Sequence, residues 1–278
     1  MRFWFLGLVL PALAIGLRAG EAPRAATADE IALFKDAIKN TEQDTNHWAY
    51  TETTVKQIGI GKTPRGETVV RFDPSKPWPE QYTPLQVEGR PPTEKEIRQY
   101  REKGEKRGRA YTRRAEQAAA ATDPTAPAPP LPPGAGKKER SVTADLDHPR
   151  VVSDDGETMV LDVPMIDHGT GVPVEKLEVR AVVAKEPRQV RHASLRVKDS
   201  FRFKMLAKVK AGEASVDFAV VDPNFGPVLV AATGDFGGSL LFVPVNGVFR
   251  TTRTDWRRVK SYDERLQVKI APLQLLGF

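Results

Sequence analysis

The sequence predicts a mainly β fold of the α+β class, a curved antiparallel sheet of about ten to twelve strands with an N-terminal helix and an inserted basic helix. Three observations predict it. First, from Pro149 onward, runs rich in β-branched and aromatic residues recur at regular spacing between turn residues. Second, several runs alternate apolar and polar residues, the period of a sheet with one buried face. Third, only residues 28–41 show a good amphipathic-helix pattern. A sheet of about twelve strands is too wide to stay flat and should curl or close.

Composition narrows the chemistry before any element is placed. The chain has 278 residues, 42 Lys+Arg against 36 Asp+Glu, and no cysteine. Disulfides, cysteine-ligated zinc, iron–sulfur clusters and thiol nucleophiles are therefore excluded. The charge is segregated: residues 94–114 hold nine Lys/Arg and four Glu, and residues 188–210 hold eight Lys/Arg and one Asp. The remainder is acidic.

Residues 1–20 read as a secretory signal peptide. Met1-Arg2 is a basic start, Phe3 to Leu17 is an apolar run, and Ala26-Thr27-Ala28 offers a small-residue cleavage pattern. The run is shorter than the ~20 residues a spanning helix needs. The expectation is a protein exported to a periplasm or secreted, with residues 21–278 forming one domain.

Thr27 and Glu30 form a capping box, and Ile31, Phe34 and Ile38 follow at helical spacing. Strands are expected at Trp48–Val55, Glu67–Phe72 and Tyr82–Val87, with turn material at Gly59–Gly66 and a rigid loop at Asp73–Pro79. Thr93 and Glu96 make a second capping box that opens a basic helix over 94–117. Its apolar side is limited to Ile97, Tyr100 and Tyr111, so it reads as a solvated helix resting on the body or a mobile arm. Residues 118–140 are rich in Ala and Pro and read as a disordered interruption.

Further strands are expected at Thr158–Met165, Leu177–Lys185, Gln189–Lys198, Phe201–Lys210, Ser215–Asp222, Val228–Ala232, Ser239–Val245, Val248–Thr254 and Leu266–Ile270. The turns between them fall at Asp154-Asp155-Gly156, Lys210-Ala211-Gly212, Asp222-Pro223-Asn224, Gly237-Gly238 and Asn246-Gly247.

Residues 201–210 alternate most sharply. Phe201, Phe203, Met205, Ala207 and Val209 share one face, while Arg202, Lys204, Lys208 and Lys210 share the other. Val216, Phe218 and Val220 repeat the apolar half, as do Leu240 and Phe242. An apolar face must be covered. One helix is ~10–12 Å across, whereas twelve strands at ~4.8 Å spread over roughly 55 Å. Either the sheet closes on itself as a packed core, or part of the face holds a guest. Phe201, Phe203, Met205, Phe218, Val220 and Phe242 are the candidate walls for a lipid or acylated ligand, and Trp48 and Tyr50 the candidate rim. The basic face, with Arg202, Lys204, Lys208 and Lys210, is either a solvated outer surface or a contact for anionic membrane or an envelope protein.

Enzyme signatures fail on spacing. Gly61-Lys62-Thr63 lacks the first glycine of a phosphate loop, since position 56 is Lys56. Asp235-Phe236-Gly237 stands without other kinase motifs. His47, His148, His168 and His192 show no metal spacing. Asp167-His168 and Asp154-Asp155 read as turns. The expectation is a non-enzymatic protein that needs no cofactor or metal and binds no nucleic acid.

The order of segments resembles exported proteins of the outer-membrane lipoprotein-sorting (LolA/LolB-like) superfamily. The resemblance rests on Trp48-Ala49-Tyr50, on Phe72-Asp73-Pro74-Ser75-Lys76-Pro77-Trp78, and on Leu85 to Thr93 before the charged helix. Arg202-Phe203-Lys204 and Trp256 to Arg265 extend it. The basic helix and Ala/Pro segment of 94–136 depart from it. The resemblance implies an unclosed antiparallel half-barrel with helices on its concave side, holding acyl chains in its cavity. The functional expectation is reversible binding of a lipid or other apolar ligand. The alternative is an envelope scaffold with a packed core and basic docking surfaces.

Overall fold

The computed structural model describes residues 22–42, 45–59, 66–122, 141–203, 207–240 and 243–263. The expected signal peptide, Gly61-Lys62-Thr63, Lys204, Met205, Phe242, the strand at 266–270 and the Ala/Pro stretch beyond residue 122 lie outside these.

The elements run β1 (Arg24–Ala25), α1 (Ala28–Glu42), β2 (Trp48–Gly59), β3 (Gly66–Phe72), β4 (Tyr82–Val87), α2 (Glu94–Thr122), β5 (Val142–Ala144), β6 (Arg150–Asp154) and β7 (Thr158–Asp162). They continue with β8 (Met165–Asp167), β9 (Leu177–Ala184), β10 (Gln189–Val197), β11 (Phe201–Phe203), β12 (Ala207–Ala219), β13 (Val228–Leu240) and β14 (Val243–Arg258). The fold is mainly β. Twelve strands form one antiparallel sheet in the order β1-β6-β7-β9-β10-β12-β13-β14-β2-β3-β4, with β11 also on β12. Its end strands β1 and β4 do not meet, so the sheet is not closed into a barrel. β5 and β8 form a separate two-stranded sheet. No helix among the described residues is long and apolar enough to cross a membrane.

Both expected capping boxes form. The Thr27 amide donates to the Glu30 carboxylate at 2.8 Å and the Glu30 amide to Thr27 Oγ1 at 3.3 Å. Arg24 adds a bidentate contact to Glu30 at 2.9 and 2.6 Å. At α2 the Thr93 amide donates to Glu96 at 2.7 Å, and Arg90 grips the same carboxylate. The apolar stripe of α1 then packs on one end of the sheet: Phe34 and Ala37 are buried among Val151, Met159, Leu161, Ala181, Val183 and Val190. Thr41 Oγ1 donates to Ala37 O at 2.7 Å and accepts from the Val190 amide at 3.0 Å, tying the helix end to β10.

Two sequence expectations are corrected. Lys210-Ala211-Gly212, Gly237-Gly238 and Asn246-Gly247 are not turns but interior positions of the long strands β12, β13 and β14. The glycines there serve close packing. Gly234 lies opposite Phe249, and a Cβ on it would sit 2.3 Å from the Phe249 ring. Gly247 lies opposite Phe236 in the same way. Each ring lies over the bare backbone of its cross-strand glycine. The second correction is α2, which continues to Thr122 through the alanines expected to be disordered, in keeping with their high helix propensity. The expectation that the helix rests on the body as a solvated element holds, since α2 packs against Trp78–Glu80 and the edge strand β4 and is otherwise largely exposed. Gly104 and Gly108 let it approach Trp78 so closely that a Cβ on Gly104 would lie 2.3 Å from the Trp78 carbonyl oxygen. Arg107 stacks over the Tyr82 ring at 4.2 Å. Tyr111, one of the three residues expected on its apolar side, meets Trp78 with ring centroids 5.1 Å apart, while the two glycines and the arginine carry no apolar signal in the sequence.

Register shows that both helices lie on one face. Directly opposed residues share a face, and Ala181, Ala193, Val216, Ala232, Thr251 and Thr54 are opposed in turn across β9, β10, β12, β13, β14 and β2. Two-residue steps along β2 reach Tyr50, which is opposed to Phe72 and through it to Tyr82 under α2.

Candidate apolar binding site

The helix-bearing face is covered unevenly. At one end of its strands it is filled. Trp48 and Tyr50 are buried, 3% and 7% exposed, in an aromatic cluster with Phe72, Tyr82, Phe225 and Trp256. They are core residues, which corrects their assignment to a rim. Arg253 lies over Tyr50 at 4.5 Å and pairs with Glu52 at 2.9 Å. Burial pushes the Tyr50 and Tyr82 hydroxyls above their ordinary range.

Farther along the same strands the face opens into a hollow of 330 Å³. Its floor is built from two cross-strand rows. One runs Ala193, Val216, Ala232 and the other Val179, Leu195, Ala214, Gly234, Phe249. Small side chains at Ala193, Ala214 and Ala232 keep the floor low while larger neighbours rise around it. Ala144 of β5 and Met165 of β8 form one side. The side chains of these two rows are aliphatic apart from Phe249; Ser194, Ser215 and Thr233, between them in the strands, also border the hollow, and no α1 or α2 residue is part of the lining.

Beyond the hollow, the same face continues apolar toward the far strand ends. Phe201 and Phe203 oppose Val209 and Ala207, and the two phenylalanines are partly exposed. Ile58 and Phe236 flank Gly247 and are 47% and 39% exposed, and Val243 is 41% exposed. The predicted alternation therefore holds for Phe201, Phe203, Ala207 and Val209 against Arg202 and Lys208.

The other candidate walls fall elsewhere. Phe218 shares the face of Ala214 and Val216 but lies farther along β12, at the filled end, where it packs against the α1 core. Val220 lies past the end of β12 and is exposed. Sequence reading missed Ala193, Leu195, Ala214 and Ala232, whose signal was the modest alternation in Ala193-Ser194-Leu195 and Ala214-Ser215-Val216.

The opposite face is polar. Glu178 accepts from Arg180 at 2.8 Å and Arg196 at 2.6 Å, and these guanidiniums hold its carboxyl low although burial pushes it up. His192 meets Asp217 at 2.7 Å. Arg202 and Lys208 stand directly opposite each other, and Lys210 is exposed at a bulge. Asp154-Asp155 and Asp167-His168, expected as turns, each join the last residue of a strand, β6 or β8, to the bend that follows it. The Asp155 carboxylate accepts from the Thr158 amide at 2.6 Å, and Asp167 accepts from the Thr170 hydroxyl and amide. Among the described residues no group of three or more His, Asp and Glu gathers as a metal would need. Comparison of the chain with known protein families, with curated proteins and with solved structures returns no match.

Proposed function

We propose that the protein reversibly binds a lipid or another apolar chain on the open half of its helix-bearing face, in an exported compartment and without catalysing a reaction. The observation that carries this reading is the 330 Å³ hollow with its apolar floor, continuous with the exposed Ile58, Phe236 and Val243. Its volume lies at the small end of the ~300–1,000 Å³ range of ligand sites. Each ligand methylene taken from water there contributes about 0.8 kcal/mol. The sheet bends around the ligand as a half-barrel, with α1 and α2 on the concave side. The superfamily resemblance points the same way. Titration with a fluorescent fatty-acyl probe tests it. Ala214→Trp fills the floor of the hollow and weakens the probe by about tenfold, the equivalent of about two excluded methylenes, with an unchanged circular dichroism spectrum. Equal affinity in the variant would refute the site.

A second reading draws on the opposed cations Arg202 and Lys208. Like charges placed directly across two strands repel, and an anionic membrane headgroup or envelope partner relieves that repulsion. On this reading the basic face docks the protein, with or without a ligand in the hollow.

A further inference from the structure

A second pocket, of 240 Å³, lies between α2, the loop ahead of β4 and residues 261–263. Unlike the hollow, it combines aromatic walls with charge. The rings of Trp78 and Tyr111, 5.1 Å apart, form one part of the wall. Arg107 and Asp263 both line it.

Arg107 is held by its stacking on Tyr82, and its Nε and Nη2 are shut off from water with no hydrogen-bond acceptor. Desolvating a guanidinium without a counter-charge is costly. Asp263 is placed by the chain just before it, where the Tyr262 amide donates to Pro74 O at 2.8 Å. Among the described residues Asp263 makes no hydrogen bond or ion pair, so the pocket is lined by one unpaired charge of each sign.

We propose that this pocket binds a small zwitterion, a molecule bearing a carboxylate and an ammonium group beside an apolar side chain, such as an aromatic α-amino acid. The carboxylate meets Arg107, the ammonium group meets Asp263, and the side chain lies against Trp78 and Tyr111. A simple anion would face the Asp263 carboxylate, and a simple cation would face Arg107. The volume, below the range of drug-sized sites, favours a ligand of this size. The inference is independent of the apolar hollow.

Calorimetric titration of the whole protein with three probes tests it. L-phenylalanine binds, whereas N-acetyl-L-phenylalanine, which lacks the ammonium group, and 2-phenylethylamine, which lacks the carboxylate, bind at least about tenfold more weakly. Arg107→Gln and Asp263→Asn each weaken L-phenylalanine by a similar factor. Should Arg107→Gln loosen α2, Asp263→Asn still decides the matter, since it preserves size at a partly exposed position. Absence of L-phenylalanine binding, or equal binding of either analogue, would overturn the proposal.

Discussion

At the residue scale, the two helix starts depend on two carboxylates. Arg24, with Thr27, holds the Glu30 carboxyl at about 2, and Arg90, with Thr93, does the same for Glu96. Both values lie below the ordinary 4.5, so the stability these contacts supply is complete above about pH 4.5 and is lost as pH falls toward about 2. Thermal melting followed from neutral pH to about 2 should show a decline in that window, and the double variant Glu30→Gln, Glu96→Gln should flatten it. Thr27→Ala should cost about 1 kcal/mol at neutral pH, read from denaturant unfolding. These caps were legible in the sequence because a capping box is local, with partners three residues apart. The burial of Trp48 and Tyr50 was not legible, since it depends on Phe225 and Trp256, more than a hundred residues distant.

At the element scale, the reciprocal glycine–phenylalanine pairs set the length of the central strands. Gly234→Val would drive a side chain into the Phe249 ring, and overpacking of this kind costs about 1–3 kcal/mol. Because Phe249 also lines the hollow, the same variant should alter acyl-probe affinity more than Gly156→Ala, which changes a distant turn. A stability loss with no change in probe affinity would separate Phe249 from the site. These pairs also explain why the expected strands are shorter than those of the structure. Asn246-Gly247 is a strong hairpin signal in isolation, and only the ring of Phe236 across the ladder makes a strand glycine necessary there. The open hollow was legible in principle, as more apolar face than one helix can cover. Its position was not, because it depends on which part of each strand α1 covers: Phe218 lies under the helix, while the alanines of the same face lie beyond it.

For the whole molecule, α1 on β9 and β10 and α2 on the edge strand β4 shield the same strand ends of a twelve-stranded sheet, and the other strand ends of that face are apolar and open. Arg202, Lys208 and Lys210 decorate the far strand ends of β11 and β12. If the basic face docks on anionic membrane, vesicle co-sedimentation should fall steeply as salt shortens the ~10 Å screening length, and Arg202→Glu with Lys208→Glu should abolish it. Salt-independent binding would count against docking through charge while leaving the hollow untouched. The antiparallel class and the approximate strand number followed from alternation and spacing. The closeness with which α2 seats on Trp78 and β4 did not, because beside Tyr111 that contact is made through glycines and a stacked arginine.

The central claim is that the open half of this face carries an apolar guest. Native mass spectrometry of the protein purified from its own host tests it most directly. The account predicts an added mass that fragments as a lipid or acyl chain and is lost in Ala214→Trp. Protein of bare-chain mass under gentle ionisation, or an adduct retained undiminished by that variant, would contradict it.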